Sequence, residues 1–311
     1  RDAPMSFIVL IIGSVTLGHA CTHWLVFRDR YERLFFQLLF GFSVFAAVIL
    51  FVGSWSLSNA RVAVVLLCLI SCIRVLGWLS PGAETKRAPA TERSVLTVLE
   101  TISLISAGVI LALTFITALA PATSWDAAVA HLALPAAYAR EGRFYVFEGN
   151  AYSAYPHFMH ALYAFVFFDG GERGVQLLGW FFSLLACVGA YVLGSRVLGR
   201  KEGIVAAAIL SATPIFIDQS GTAALDLAFL AYSLGALAAL SAYYAEKDAR
   251  WLFFSAFLVG SSCGIRHTGY LIGALFVASI LFSSLSVSMK MRNSLLFGLT
   301  MVLAAFPWWF R

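Results

Sequence analysis

Asp126 is the first of a few ionisable side chains that could do chemistry in this largely apolar sequence. It follows Thr123 by three residues, and Thr-x-x-Asp is a capping-box pattern in which the carboxylate only closes a helix N-terminus. In an apolar setting, a lone carboxylate could instead deprotonate a hydroxyl group or hold a divalent cation such as Mg²⁺ or Mn²⁺. The spacing alone favours the cap.

Further charged side chains stand just beyond two short apolar stretches, residues 203–217 and 251–265. They are Asp218, Asp226, Arg266 and His267. Each stretch has fifteen residues, which is about 22 Å of helix, against about 30 Å for the hydrocarbon core of a bilayer. Because ionisable groups at such depth usually face a watery cavity or each other, we expect them to border a cavity. The alternative is that the helices are longer and that these residues lie in ordinary loops.

The remaining metal-ligating residue types lack a recognisable ligand spacing. His157 and His160 are three residues apart on one helix face, but no carboxylate at helical spacing completes a ligand set, and His131 is equally isolated. Cys68 and Cys72 are four residues apart within an apolar stretch. We expect the cysteines to be small hydrophobic side chains, and the histidines to be structural or to contact lipid headgroups.

The composition limits the class of protein. Of 311 residues, 61% are hydrophobic and only 12% are charged, and the mean hydropathy is +0.87. Soluble domains carry about twice as many charges, so most of this surface must face lipid. Disorder, nucleic-acid binding and a secreted disulfide scaffold are excluded. The prediction is an all-α, polytopic helical membrane protein surrounded by membrane lipids.

Apolar stretches separated by charged or Gly/Pro-containing segments predict about ten transmembrane helices. They lie at 5–27, 34–54, 62–80, 96–120, 174–195, 203–217, 226–245, 251–265, 270–285 and 294–310. If these helices alternate, thirteen basic residues fall on one side: Arg28, Arg30, Arg33, Lys86, Arg87, Arg93, Arg196, Arg200, Lys201, Lys247, Arg250, Lys290 and Arg292. Seven fall on the other: Arg1, Arg61, Arg140, Arg143, Arg173, Arg266 and Arg311. The positive-inside rule makes the first side cytoplasmic.

The long connection 121–173 then lies on the outer side. Its residues 126–140 and 156–168 predict two short helices beside or within the membrane interface. Twelve aromatic residues fall among the forty-four residues 125–168, a much higher share than the 15% of the whole chain. An interfacial aromatic belt explains most of them, and a platform for a sugar ring or prenyl chain is the functional alternative.

An ordered set of motifs over about residues 96–311 resembles bacterial membrane glycosyltransferases of the GT-C superfamily. The nearest branch is that of protein O-mannosyltransferases and the lipid A aminoarabinose transferase. The motifs are Ser124-Trp125-Asp126-Ala127-Ala128, His131-Leu132, Pro135, Glu141-Gly142-Arg143, Tyr155-Pro156, Gly194 to Arg200, Ala212-Thr213-Pro214, Gly221 to Asp226, Cys263 to Gly269, and Pro307 to Arg311. The sequence departs from the pattern in two places, since Ala127 stands where a second acidic residue is common and Arg266-His267 replaces a Lys-Tyr-like pair.

The resemblance implies a role for each matched position. Asp126 would be the catalytic carboxylate that activates the acceptor, and Asp226 the second acidic position. Arg266 or His267 would lie near the phosphate of a polyprenyl-phosphate sugar donor. His131 and Tyr155, in the same matched segments, are the other candidate substrate-binding residues. The implied activity is transfer of a sugar to an acceptor on the outer, periplasmic face of a bacterial inner membrane.

The sequence also leaves alternatives open. Residues 1–95, with about three spans, match no part of the resemblance and could bind protein partners. A non-catalytic scaffold subunit of a larger complex is therefore the second interpretation. A transporter or channel is a third and weaker one, because no internal repeat or line of intramembrane charges is present. The chain lacks an initiator Met and ends within an apolar stretch, so we expect a piece of a longer protein.

Overall fold

The computed structural model describes residues 5–78 and 95–309. Twelve α-helices make up most of this part of the chain. They are α1 (Met5–Thr22), α2 (Arg30–Gly53), α3 (Leu57–Trp78), α4 (Val98–Ala118), α5 (Ala133–Glu141), α6 (Phe158–Val197), α7 (Arg200–Ser211), α8 (Pro214–Ser220), α9 (Asp226–Glu246), α10 (Ala249–Cys263), α11 (Gly269–Leu281) and α12 (Val287–Ala305). A π-helical segment covers Ala127–His131, and short 3₁₀ segments cover Ala151–Ala154 and Phe306–Trp308. The all-α prediction is confirmed.

Helix length and composition support a polytopic membrane protein. Six helices (α1, α2, α3, α4, α6 and α9) are long and apolar enough to cross a membrane. A seventh span is formed if α7 and α8, which meet at a bend of 71°, count together. Each of the ten predicted stretches contains a helix, but the described helices give six candidate spans, or seven with the bent pair, and α10, α11 and α12 are not among them. α10 and α11 are shorter than the roughly 20 residues of a full crossing.

Pro214 explains the bend between α7 and α8. It stands at the first position of α8, where its missing N–H is not needed. The preceding Thr213 is extended, with φ −71° and ψ 137°, as steric contact with a following proline requires. The stretch predicted as one short helix at 203–217 is therefore two helices at an angle, and Asp218 lies within the second.

A break at Gly171 divides α6. Gly171 has φ 54° and ψ −148°, a conformation that only glycine adopts readily. The part before the break is the helix predicted at 156–168, but it does not lie on the surface as an interfacial helix would. Every residue of 158–166 is buried, because its side chains are apolar on all sides and protein surrounds them.

Aromatic side chains pack α2 into one core with α6, α9 and α10. The rings of Phe42 and Phe182 lie 5.0 Å apart, and those of Phe36 and Phe254 lie 5.4 Å apart. The Tyr232 hydroxyl donates to the Leu39 carbonyl at 2.7 Å. α2, although part of the unmatched residues 1–95, is thus integral to the packing, whereas α3 and α4 expose many large apolar side chains.

Ion pairs join the predicted basic clusters at one end of the bundle. Arg196 binds Glu32 and, at 3.0 Å, Glu246. Arg28 donates to the Arg196 carbonyl at 3.3 Å. The indole of Trp251 lies 4.6 Å from the Arg196 guanidinium and donates to Glu246. The clusters around residues 28–33, 196–200 and 246–251 therefore share one end, as the charge pattern predicts.

Some predicted charges cannot be placed on this end or the other. Lys86, Arg87 and Arg93 of the basic side, and Arg1 and Arg311 of the opposite side, lie outside the described residues.

Gly41 supplies a test of the α1–α2 contact. A Cβ atom at Gly41 would lie 2.3 Å from the Ser14 backbone, whereas one at Gly108 on α4 would meet nothing within 4 Å. We expect Gly41→Ala to lower the free energy of unfolding by about 1–3 kcal/mol, because the helices must separate. Gly108→Ala, the control, should leave it unchanged or raise it by up to about 1 kcal/mol. Thermal unfolding in detergent micelles measures both, and equal melting temperatures would contradict this account of the helix contact.

Candidate functional site

A cavity of about 270 Å³ lies between the connection 121–173 and the segment that joins α8 to α9. Its lining includes two carboxylates, an imidazole and an indole. The lining residues are Ser124, Trp125, Asp126, Ala127, His131, Gln219, Thr222, Ala224 and Asp226. Three residues that the sequence singled out, Asp126, His131 and Asp226, thus border one cavity.

Ser124, rather than Thr123 and Asp126, caps the first helical turn of the connection 121–173. The Ser124 hydroxyl accepts a hydrogen bond from the Ala127 N–H at 3.3 Å. Asp126 makes no capping hydrogen bond, and it is exposed. The capping-box prediction is wrong because the helix begins one residue later than the pattern requires, which puts Ala127 at the third position. The Asp126 carboxylate is consequently available to the cavity.

The π-helical segment brings His131 to the same cavity as Asp126. In a regular α-helix, residues five apart point roughly 140° away from each other. In the π-helical segment, hydrogen bonds join residues five apart, as from the Leu132 N–H to the Ala127 carbonyl at 2.8 Å. Residues 126 and 131 therefore lie on one side of the helix. Nothing in the local sequence indicates this extra residue in the turn.

Asp226 and Arg266 form an ion pair at the edge of the cavity. Asp226 is the first residue of α9, and Arg266 lies just after α10; their charged groups are 2.7 Å apart. The side chains are 47% and 44% exposed, so water or a ligand can reach both. The expectation that charged residues beyond the short helices face a cavity or each other is confirmed for this pair.

The other candidates near the short helices lie around this pair. The ring of His267 meets that of Tyr155 edge-on, with centroids 5.9 Å apart, so both lie beside Arg266 without lining the cavity. Asp218 is also not in the lining and accepts a hydrogen bond at 2.9 Å from Gln219. Gln219 itself lines the cavity, which the sequence reasoning missed.

Burial and neighbouring charges set the ionisation of His131. Burial is the largest cause and lowers the pKa of its imidazole, Asp126 and Asp226 oppose the shift, Arg266 adds to it, and the resulting pKa is about 4. The side chain is 9% exposed. His131 is therefore neutral at physiological pH. Its imidazole does not act as a cationic partner for the Asp126 carboxylate.

Two histidines behind His131 form a connected buried group that sequence reasoning did not find. His131 Nδ1 lies 3.1 Å from His160 Nε2. The rings of His160 and His157 are 5.0 Å apart, and His157 Nε2 lies 2.8 Å from the Tyr138 hydroxyl. The three-residue spacing of His157 and His160 is the only sequence signal of this arrangement, and it does not reveal the partners.

Several aromatic residues of the 121–173 connection belong to the hydrophobic core of the protein. Tyr138, Phe144, Phe158, Tyr163 and Phe165 are buried, so an interfacial belt does not account for them. Trp125 and Tyr155 are exposed at the cavity side, and Tyr152 lies between them with ring distances of 6.5 and 5.6 Å. Trp125 lines the cavity, and the other two rings extend this aromatic surface beside it.

The described residues do not form a ready metal site. Within residues 5–78 and 95–309, no three His, Cys, Asp or Glu side chains are grouped so that they could hold a metal ion. Asp126 and Asp226 border one cavity, but Asp226 is paired with Arg266. Metal binding by Asp126 thus stays a prediction.

The ionisation of His131 predicts a pH-dependent stability. Its folded pKa of about 4 lies below the usual value of 6.5, so the unfolded chain binds this proton more tightly. The stabilisation is complete above about pH 6.5 and is lost as the pH falls toward 4, at up to 1.36 kcal/mol per pH unit, or about 2 kcal/mol at pH 5. Melting temperatures in detergent from about pH 7.5 to 5 should fall more steeply for the wild type than for His131→Gln. Parallel curves would contradict a buried neutral imidazole.

Comparison with known proteins places the chain in a family. Residues 155–310, half of the chain, match the dolichyl-phosphate-mannose-protein mannosyltransferase family. The match contains Asp226 and Arg266 and begins at Tyr155, so Asp126 lies outside it. Searches of curated proteins and of solved structures gave no match. The GT-C resemblance is confirmed, and the chain belongs to the dolichyl-phosphate-mannose-protein mannosyltransferase family of GT-C-type membrane glycosyltransferases.

Proposed function

We propose that the protein transfers a sugar from a polyprenyl-phosphate donor to a hydroxyl acceptor at the cavity of Asp126. The observation that carries this proposal is that Asp126 makes no capping hydrogen bond and lines a cavity together with Asp226, which is paired with Arg266. A base and a cation at one exposed cavity are the two charges that such a transfer needs. The family match supports the transferase class.

Each charged group has a separate task in the proposed reaction. The acceptor hydroxyl attacks the anomeric carbon of the sugar, and Asp126 takes the hydroxyl proton as general base. The bond between that carbon and the phosphate oxygen breaks, and the polyprenyl phosphate leaves with the electron pair. Arg266, with His267 beside it, stabilises the phosphate charge. Attack opposite the leaving group inverts the anomeric configuration.

The site lies at the end of the bundle opposite the basic clusters of Arg28, Arg196 and Arg250. The ion pairs of those clusters join α2, α6 and α9 at their other ends. By the positive-inside rule, we infer that the cavity opens to the outer face, the periplasm if the membrane is a bacterial inner membrane. The apolar faces of α3 and α4 suit contact with lipid and with a prenyl chain.

Arg266 is bound by Asp226, and this contact holds it in place for the phosphate of the donor. The carboxylate holds the guanidinium at the cavity edge while leaving it half-exposed. A phosphate can then bind the remaining N–H groups, since arginine carries five donors. Metal binding is a further proposal: the Asp126 carboxylate would hold a divalent cation such as Mg²⁺ or Mn²⁺, which would supply positive charge at the cavity.

Asp126→Asn tests the assigned base. The amide keeps the size of the side chain but cannot take the proton, so we expect the transfer rate to fall by about 10²- to 10⁴-fold. Release of polyprenyl phosphate from polyprenyl-phosphate mannose, in nanodiscs with a cell-envelope extract as acceptor, measures the rate. Glu141→Gln, in the same loop but outside the cavity lining, is the control. An unchanged rate in Asp126→Asn would remove Asp126 from the mechanism, and a wild type that binds the donor without transfer would favour the scaffold interpretation.

Arg266→Gln tests the phosphate contact. Loss of a hydrogen bond to a charged group costs about 1.5–3 kcal/mol, so Kd for polyprenyl phosphate should rise roughly tenfold to a hundredfold. Calorimetry in micelles measures Kd. Arg140→Gln, which removes an exposed arginine of α5 outside the cavity lining, should bind as the wild type does. Equal Kd values for all three proteins would show that the phosphate binds elsewhere.

A further inference from the structure

A line of hydrogen-bonding side chains extends from the cavity into the buried interior of the outer loop. His131 at the cavity is hydrogen-bonded to His160, the ring of His160 packs against that of His157, and His157 is hydrogen-bonded to Tyr138. The last three are at most 2% exposed. Burying three imidazoles and a phenol is costly unless their hydrogen bonds are made, and of these four side chains His131 is the one in the cavity lining.

The protons at the buried end of this line have one arrangement. His157 Nδ1 is hydrogen-bonded to the Tyr155 carbonyl, which can only accept, so Nδ1 carries the proton. In the neutral ring, Nε2 then lacks a proton and accepts from the Tyr138 hydroxyl at 2.8 Å. Backbone and phenol together therefore fix the tautomer and the ring plane of His157, against which His160 packs.

One proton lies between His160 and His131. His131 Nδ1 and His160 Nε2 are 3.1 Å apart, so one of them donates and the other accepts. Nε2 is the nitrogen of His131 left for the cavity. The cavity holds the carboxylates of Asp126 and Asp226, and Arg266 is occupied by Asp226. A nitrogen facing two carboxylates is better placed as a donor than as an acceptor, so the shared proton belongs to His160.

We propose that His160 is a positioning residue: its Nε2–H donates to His131 Nδ1 and thereby fixes His131 as a neutral imidazole whose Nε2–H donates into the cavity. The group it would contact is an oxygen of the sugar donor or of its phosphate. This inference rests on the proposed function for its substrate, but the proton arrangement stands on the geometry alone. It separates the two roles at the cavity, since Asp126 takes the proton and His131 donates a hydrogen bond.

The proton arrangement can be measured without any activity. Nitrogen-15 spectra of histidine-labelled protein in nanodiscs distinguish protonated from unprotonated ring nitrogens, and the signals that vanish in His131→Gln belong to His131. We expect protonated Nε2 and unprotonated Nδ1 in the wild type. The pattern should persist in His160→Gln, whose amide can still donate, and be lost in His160→Phe. A wild-type His131 protonated at Nδ1 would overturn the proposal even if every variant folds, and so would a pattern unchanged in His160→Phe.

Kinetics test the consequence for transfer. His160→Phe should lower kcat by about tenfold to a hundredfold, the usual effect of a misplaced group, with little change in the donor KM. His160→Gln should recover most of kcat, and adding His131→Gln to His160→Phe should lower it no further than His131→Gln alone. Ser183→Ala, which removes another buried polar group of α6, is the control for folding. Additive losses, or no recovery in His160→Gln, would contradict the positioning role. A wild type without transfer would count against the proposed function and leave the spectroscopic result to decide this one.

Discussion

Taking a charge out of water costs several kcal/mol, and in a chain with 12% charged residues that cost organises both ends of the bundle. At one end Arg196 is enclosed between Glu32 and Glu246 and covered by the Trp251 ring. At the other, Asp226 and Arg266 pair at the edge of a cavity. The charges at the ends of α2, α6 and α9 that these pairs contain therefore have partners.

The ion pairs at the two ends of the bundle differ in solvent exposure, and this difference distinguishes a structural pair from one that can bind a ligand. The Arg196 and Glu32 side chains are 2% and 3% exposed, so nothing outside the protein can exchange with them. Those of Arg266 and Asp226 are 44% and 47% exposed, so a ligand can compete for either one. A buried ion pair holds helices together, whereas an exposed ion pair leaves a cation and a carboxylate accessible to an anionic substrate.

Hydropathy and charge spacing predicted the positions of the helices and the meeting of the basic clusters, because both follow from the cost of placing polar groups in lipid. Asp226 and Arg266 were predicted to border a cavity because the apolar stretches 203–217 and 251–265 are short. The cap at Ser124 could not be predicted, since a one-residue shift in the helix start decides it. The contacts of His131 with His160 and of His160 with His157 could not be predicted either, because they join separate segments of the chain and depend on a π-helical turn. The burial of the first part of α6 depends on tertiary packing that an apolar sequence permits but does not specify.

The π-helical segment Ala127–His131 also affects how this protein is to be compared with others. A related chain that lacks one residue between positions 126 and 131 could keep the same hydropathy, the same flanking motifs and the same bundle. Its turn would be a regular α-helix, and its aspartate and histidine, then four residues apart, would still share a side. A spacing of four in a regular turn and a spacing of five in a π-helical turn thus place the same two side chains on one side of the helix. A single alignment gap there is therefore no sign that the site has been lost, whereas a regular α-helix that keeps the spacing of five would separate the pair.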